Sequence, residues 1–184
     1  MGSSVNNGEA SSASDIVLDA AVIVALGANL PGTYPSCEAL LDAAVAALAQ
    51  EAMTVTARSS WWRSAAWPDA NAPAYLNGVV IVETALTPAE AIVRLHAVEA
   101  AFGRERAARN APRTLDLDLI AHGRRVIGEA GLTVPHPRAH QRAFVMGPLA
   151  QIAPLWRHPL LGRTASDLWA EADVGKDARP LNAE

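Results

Sequence analysis

Thr114-Leu115-Asp116-Leu117-Asp118-Leu119-Ile120-Ala121 reads as a largely buried β-strand that carries two carboxylates. Leu115, Leu117, Leu119 and Ile120 belong against a core, and side chains two apart in a strand leave the same face, so Asp116 and Asp118 project together. This strand closes a series of elements. Before it, Thr87-Pro88-Ala89-Glu90 has the form of a helix start, with Thr87 as N-cap, Pro88 at the first position and Glu90 completing a capping box. That helix is expected to run to about Phe102 and to end at Gly103.

Further upstream, residues 76–83 are a β-branched run expected as a strand, and residues 64–74 are expected as a loop because Pro68, Asp69, Asn71 and Pro73 occur without periodicity. Residues 53–62 are expected as one strand. Residues 36–50 place Leu40, Leu41, Ala44, Val45 and Leu48 at helical spacing. Residues 20–26 form a first strand ending at Gly27, followed by the turn Ala28-Asn29-Leu30-Pro31-Gly32. Strand, helix, strand, strand, helix, strand is the order of a ferredoxin-like α+β core, βαββαβ. Beyond it the pattern predicts a hairpin through His122-Gly123 to a short strand near residues 125–127, a short strand at 132–134, and helices over 138–152 and 165–170. The expectation is one domain over residues 16–175, with an N-terminal tail, 1–15, and a C-terminal tail, 176–184.

Composition narrows the function classes. The chain is 51% hydrophobic and 18% charged, as expected of a packed globular protein. Cys37 is the only cysteine, which excludes an intrachain disulfide and suits a reducing compartment, so a cytoplasmic setting is the expectation. No apolar run approaches the roughly 20 residues of a spanning helix, so a membrane role is not expected. The net charge of −4 argues against a general nucleic-acid binder. That total hides an asymmetry. Eight of the 14 arginines lie between Arg104 and Arg142, against four acidic residues, which suggests a compact polyanionic ligand. With Lys176 as the only lysine, arginine must supply any phosphate clamp.

Spacing alone favours two ordinary surface aspartates at 116 and 118. The neighbouring Arg113, together with Arg104, Arg106 and Arg109, shifts the balance, because paired carboxylates beside dense arginine combine metal neutralisation with charge clamping in phosphoryl-transfer sites. Oxygen ligands of this kind suit magnesium. His136 stands between Pro135 and Pro137 on stiff backbone. Its spacing from His140 could suggest zinc, but the intervening proline and the missing third ligand argue against that. Asn77 can read a heterocycle edge or serve as a strand-end hydrogen-bonder, and Trp61, Trp62, Trp67 and Phe144 could stack on a flat ligand or fill the core. No glycine-rich loop with its lysine is present, which disfavours the Walker-type nucleotide folds.

Taken together, Gly27-Ala28-Asn29-Leu30, Tyr75-Leu76-Asn77, Pro112 to Asp118 and Leu132-Thr133-Val134-Pro135-His136-Pro137-Arg138 resemble the 6-hydroxymethyl-7,8-dihydropterin pyrophosphokinase family over roughly residues 21 to 160. The resemblance implies transfer of pyrophosphate from ATP to the pterin hydroxymethyl group, releasing AMP, in folate biosynthesis, by a monomer acting on small molecules. It implies that Asp116 and Asp118 bind two magnesium ions, and that Arg104 and Arg113 are catalytic. It assigns Glu99, Arg104, Arg106, Arg113, His136 and Arg142 to ATP. It assigns Ser64, Ala65, Trp67, Tyr75, Asn77 and Phe144 to the pterin, with Phe144 stacking on the ring.

Departures from the family pattern fall at Ser64-Ala65, at Trp67-Pro68, at Asn110 and Ala111, and at Pro137. They leave the aspartates untouched: the first two bear on the pterin loop, Asn110 removes a possible stacking lid, and Pro137 stands where a family tyrosine can contact the nucleotide. The competing reading is a catalytically silent binding module that keeps the fold and the nucleotide site; the intact Asp116, Asp118, Arg104, Arg113 and His136 favour the enzyme.

Overall fold

The computed structural model describes residues 18–66, 73–103 and 114–181. The expected N-terminal tail, residues 1–15, lies outside them. Strand β1 (Val22–Ala28) lies inside the sheet, next to its edge strand, and is hydrogen-bonded antiparallel on one side to β4 (Tyr75–Glu83) and on the other to the edge strand β5 (Asp116–His122). Beyond β4 lie β2 (Thr54–Arg58), β3 (Trp62–Ser64) and, paired with β3, β8 (Arg179–Pro180).

Alternation along β1 divides the core. Val22, Val24, Leu26 and Ala28 face helix α1 (Cys37–Leu48) and helix α2 (Pro88–Ala101), where Leu40, Leu41, Leu48, Leu95 and Val98 cover them. Ala21, Ile23 and Ala25 face helix α3 (Ala143–Ile152) and helix α4 (Ala165–Glu171), meeting Met146, Leu149 and Leu168. An extra residue in β5 opposite the Ile23–Val24 step turns Ile120 and Ala121 both to the second layer, while Leu117 and Leu119 keep to the first.

The two long helices start as the sequence predicts. Ser36 caps α1 by accepting from the Ala39 amide, and the Thr87–Glu90 capping box opens α2. Gly103, at φ +78°, follows the C-cap of α2, a conformation glycine adopts without a steric penalty.

Four local expectations need correction. The single strand over 53–62 is two strands, because Ser59 Oγ accepts the Val79 amide at 3.0 Å and draws the edge chain out of its ladder. The break sends Trp61 into the α1–α2 layer, while Trp62 packs edge-on against Trp169 of α4. The expected hairpin at His122-Gly123 does not form. Instead β6 (Ile127–Glu129) pairs with β7 (Leu132–Val134) in a separate two-stranded ladder, and the outer edge of β5 is used by His136, whose amide donates to Ile120 O at 2.9 Å. The helix expected over 138–152 begins as a single tight turn, Ala139–Gln141, and then breaks at extended Arg142, since the Ala143 amide donates to Val174 O. Residues 179–180, expected within a C-terminal tail, form β8 against β3.

His158 is a buried titratable group in the second layer, 4% exposed, packed edge-on to Trp156 and His140. Its Nδ1 accepts the amides of Leu160 and Leu161, which leaves the ring proton on Nε2. Burial, aided by His140 and Arg124, holds its pKa down to about 4 from the ordinary 6.5. A folded-state value below the unfolded one means that the neutral ring's contribution is complete above pH 6.5 and is lost as the pH falls towards 4. Urea titrations should therefore show a loss of about 1–3 kcal/mol across that window. His158→Asn, which keeps an acceptor for the two amides, should flatten the dependence; an equal slope in both proteins would refute the assignment.

Candidate active site

The site lies on the α3 side of the sheet, at the end of β1, where the N-terminus of α3 stops short of covering the strands. Register brings its floor together: Gly27 of β1 stands opposite Asp116 of β5 and opposite Asn77 of β4. A β-carbon at position 27 would sit 3.3 Å from Asn77 Oδ1, so glycine leaves the floor open between a carboxylate and an amide. Ala25, Gly27, Asn77, Asp116, Asp118, Arg142 and Phe144 line the resulting cavity. Asp116 and Asp118 are both half-buried while Leu117 between them is buried on the other face, as the spacing predicts.

The cationic wall comes from the segment after β7. Arg142 Nη1 lies 3.7 Å and His136 Nε2 4.0 Å from Asp118 Oδ2. Arg142 also lies over the Phe144 ring, 5.7 Å from its centroid. Burial lowers the Arg142 pKa, opposed by the pull of Asp118. Burial also lowers that of His136, against Asp118, and Arg142 and Arg138 lower it further. The ring is therefore neutral near pH 7. His136 Nδ1 accepts the Arg138 amide at 3.2 Å, which assigns the proton to Nε2 and points a donor towards Asp118.

Glu99 of α2 is 3% exposed, and its Oε1 accepts the Leu117 amide at 2.7 Å, between the two aspartates. The structure thus places this sequence-assigned nucleotide residue behind β5, where it ties α2 to the carboxylate-bearing strand. On the opposite side Asn77 Nδ2 donates to Ser64 Oγ at 3.0 Å, and Ser64 pairs across the ladder with Tyr75. Ser64 and Ala65 line an adjoining cavity of about 400 Å³ together with Arg63, Ala66, Ala74, Asp177 and Arg179. Trp67, Arg104, Arg106 and Arg113 lie outside the described residues.

The structure brings Asp116, Asp118, Arg142, Asn77 and Phe144 around one cavity, with His136 4.0 Å from Asp118 and with Ser64, Ala65 and Tyr75 beside it. The sequence reading did not single out Gly175, which lies against Phe144, or Asp177, which lines the adjoining cavity; neither sits in a periodic segment.

Residues 23–154 match the family described as 7,8-dihydro-6-hydroxymethylpterin-pyrophosphokinase (HPPK). The chain belongs to the HPPK family. It is 42% identical over 152 residues to the 2-amino-4-hydroxy-6-hydroxymethyldihydropteridine pyrophosphokinase of Synechocystis sp., covering 82% of this chain and 75% of that one. The Pseudomonas aeruginosa protein of the same name is 38% identical over 138 residues, 75% of this chain and 83% of that one. Among solved structures, the chain resembles Plasmodium falciparum HPPK-DHPS with pteroate at a TM-score of 0.63 and 12% identity, over 82% of this chain and 42% of that one. It thus spans less than half of that longer chain, and at such identity the likeness shows the fold alone.

Glu99→Ala, which leaves the Leu117 amide without its acceptor in a buried setting, should destabilise this HPPK-family chain by about 1–3 kcal/mol in denaturant titrations. Glu99→Gln retains a carbonyl acceptor and should cost less.

Proposed function

We propose that the chain transfers pyrophosphate from ATP to 6-hydroxymethyl-7,8-dihydropterin and releases AMP, a step of folate biosynthesis. The observation that carries this reading is the cavity in which Asp116 and Asp118 meet Arg142, Asn77 and Phe144, with His136 beside Asp118, in a chain of the HPPK family. The order β5–β1–β4 with β2 and β3 beyond supports the ferredoxin-like description, the expected second strand being split in two. No described helix is long and apolar enough to cross a membrane. ATP as co-substrate and the lone Cys37 support a cytoplasmic setting.

The reaction joins the hydroxymethyl oxygen to the β-phosphorus of ATP, breaks the bond from that phosphorus to the α,β-bridging oxygen, and passes the hydroxyl proton to solvent or phosphate. The chain's own contribution is positioning and charge. Asn77 offers a donor and an acceptor to the polar edge of the pterin, and the Phe144 face presents an apolar surface to its ring. The Arg142 guanidinium and the His136 Nε2–H donate to phosphate oxygens. Arg104, Arg106 and Arg113 extend this clamp in the reading from sequence.

Asp116 and Asp118 suit magnesium: they put two hard oxygen donors on one cavity, and magnesium commonly takes one or two carboxylates and completes its shell with water and substrate phosphates. Two magnesium ions held there would neutralise the triphosphate. Between the aspartates, the Glu99 tie to the Leu117 amide keeps both carboxylates at a set height along β5.

Incubation with ATP, magnesium and the hydroxymethyl pterin should yield AMP and the pterin pyrophosphate by chromatography. Folded chain that gives neither product refutes the assignment and favours the silent binding module. Chelation of magnesium should abolish turnover reversibly. Asp116→Ala should lower kcat by at least about 100-fold with the thermal midpoint little changed; near-normal turnover would remove the metal from Asp116.

A further inference from the structure

The segment 174–181, beyond the part of the chain that carries the family match, touches both walls of the site. At its start Val174 bridges Arg142: Ala143 N donates to Val174 O at 2.8 Å, and Val174 N donates to Gln141 O at 3.0 Å. Gly175 follows at φ +70°, and a β-carbon built on it would lie 2.5 Å from Phe144 Cδ1. Position 175 is thus restricted to glycine twice over, by backbone conformation and by the aromatic ring pressed against it.

A turn closed by Ala178 N donating to Gly175 O then brings Asp177 across the gap, where its Oδ2 accepts the Ala65 amide at 2.5 Å. The segment ends as a strand: Pro180 and Arg179 pair with Trp62 and Arg63, and Leu181 N donates to Trp61 O at 2.8 Å. One short stretch therefore bears on the Phe144 ring and holds Ala65, next to Ser64, which accepts from Asn77.

We propose that Gly175 and Asp177 are positioning residues for the pterin slot, setting the separation between the Phe144 face and the Ser64–Ala65 backbone so that one flat heterocycle fits between them. The inference rests on the pterin reading of the cavity given above. Asp177 is exposed, so its hydrogen bond contributes little to global stability. Its effect is on geometry. The bond is directional and charge-assisted, and it fixes a backbone amide at the edge of a binding wall. It lies on the far side of the slot from Asp118, Arg142 and His136, so it bears on the heterocycle and leaves the nucleotide unaffected.

The test uses the full chain with Asp177→Ala, Asp177→Asn and Gly175→Ala, read by steady-state kinetics, thermal midpoint and amide hydrogen exchange. Asp177→Ala should raise KM for the pterin about tenfold while KM for ATP stays within about twofold and the thermal midpoint holds. Asp177→Asn, whose amide oxygen can accept from Ala65, should restore most of the loss. Gly175→Ala should weaken the pterin through Phe144; if it fails to fold, the Asp177 pair carries the test. Exchange at residues 64–66 should quicken in Asp177→Ala with no ligand present. An unchanged pterin KM, an equal rise for ATP, or an Asp177→Asn protein as impaired as Asp177→Ala would overturn the proposal. Wild-type chain that binds no pterin would sink the substrate assignment, and the exchange arm would then decide the brace: unchanged rates at 64–66 overturn it, quickened rates sustain it.

Discussion

The site depends on the pairing of β1 on both of its edges. A strand hydrogen-bonded on each side has no free backbone to satisfy elsewhere, so its alternating side chains divide the interior into two layers and its register sets what stands opposite what. Because Gly27 faces Asp116 on one neighbour and Asn77 on the other, a carboxylate, a bare backbone and an amide lie in one row across the sheet. A slip of one residue in either ladder would turn Asp116 or Asn77 into the opposite layer, among Leu26, Leu95 and Val98.

That row is useful only because the second layer is incomplete at this end. Helix α3 covers Ile23 and Ala25 with Met146 and Leu149, but its N-terminus is displaced where Arg142 takes an extended conformation to meet Val174. The break turns what would be a first helical turn into the cationic wall of the cavity. Arg142 and His136 approach Asp118 from this segment, and the neutral state of His136 follows from its burial and from the arginines beside it. The charge that lines the cavity and the packing of α3 are thus set by the same few residues.

Much of this was legible in the sequence. The capping box at Thr87, the helical spacing of Leu40, Leu41, Ala44 and Leu48, and the alternation around Asp116 and Asp118 are local signals, and each element formed where its signal lies. The aspartates, His136 and Asn77 stand in short contiguous motifs, whereas Arg142 and Phe144 are named through the resemblance to the family. The split of the second strand was not legible, since it arises when Ser59 accepts an amide from Val79, 20 residues away. Nor was the absence of a hairpin at His122-Gly123, where the outer edge of β5 is met instead by His136, whose amide donates to Ile120 O.

The sequence by itself determined which residues favour helix or strand, which carboxylates share a face and which family pattern the chain carries, because these rest on periodicity and on contiguous motifs. Only the tertiary structure decided that Glu99 supports Leu117 from behind, that the outer edge of β5 belongs to His136, and that the segment expected as a tail returns to β3 through Gly175 and Asp177. Each of these is a hydrogen bond or close contact between groups far apart in the chain. Such a contact leaves no periodic trace in either segment, and it exists only once the sheet has brought the two together.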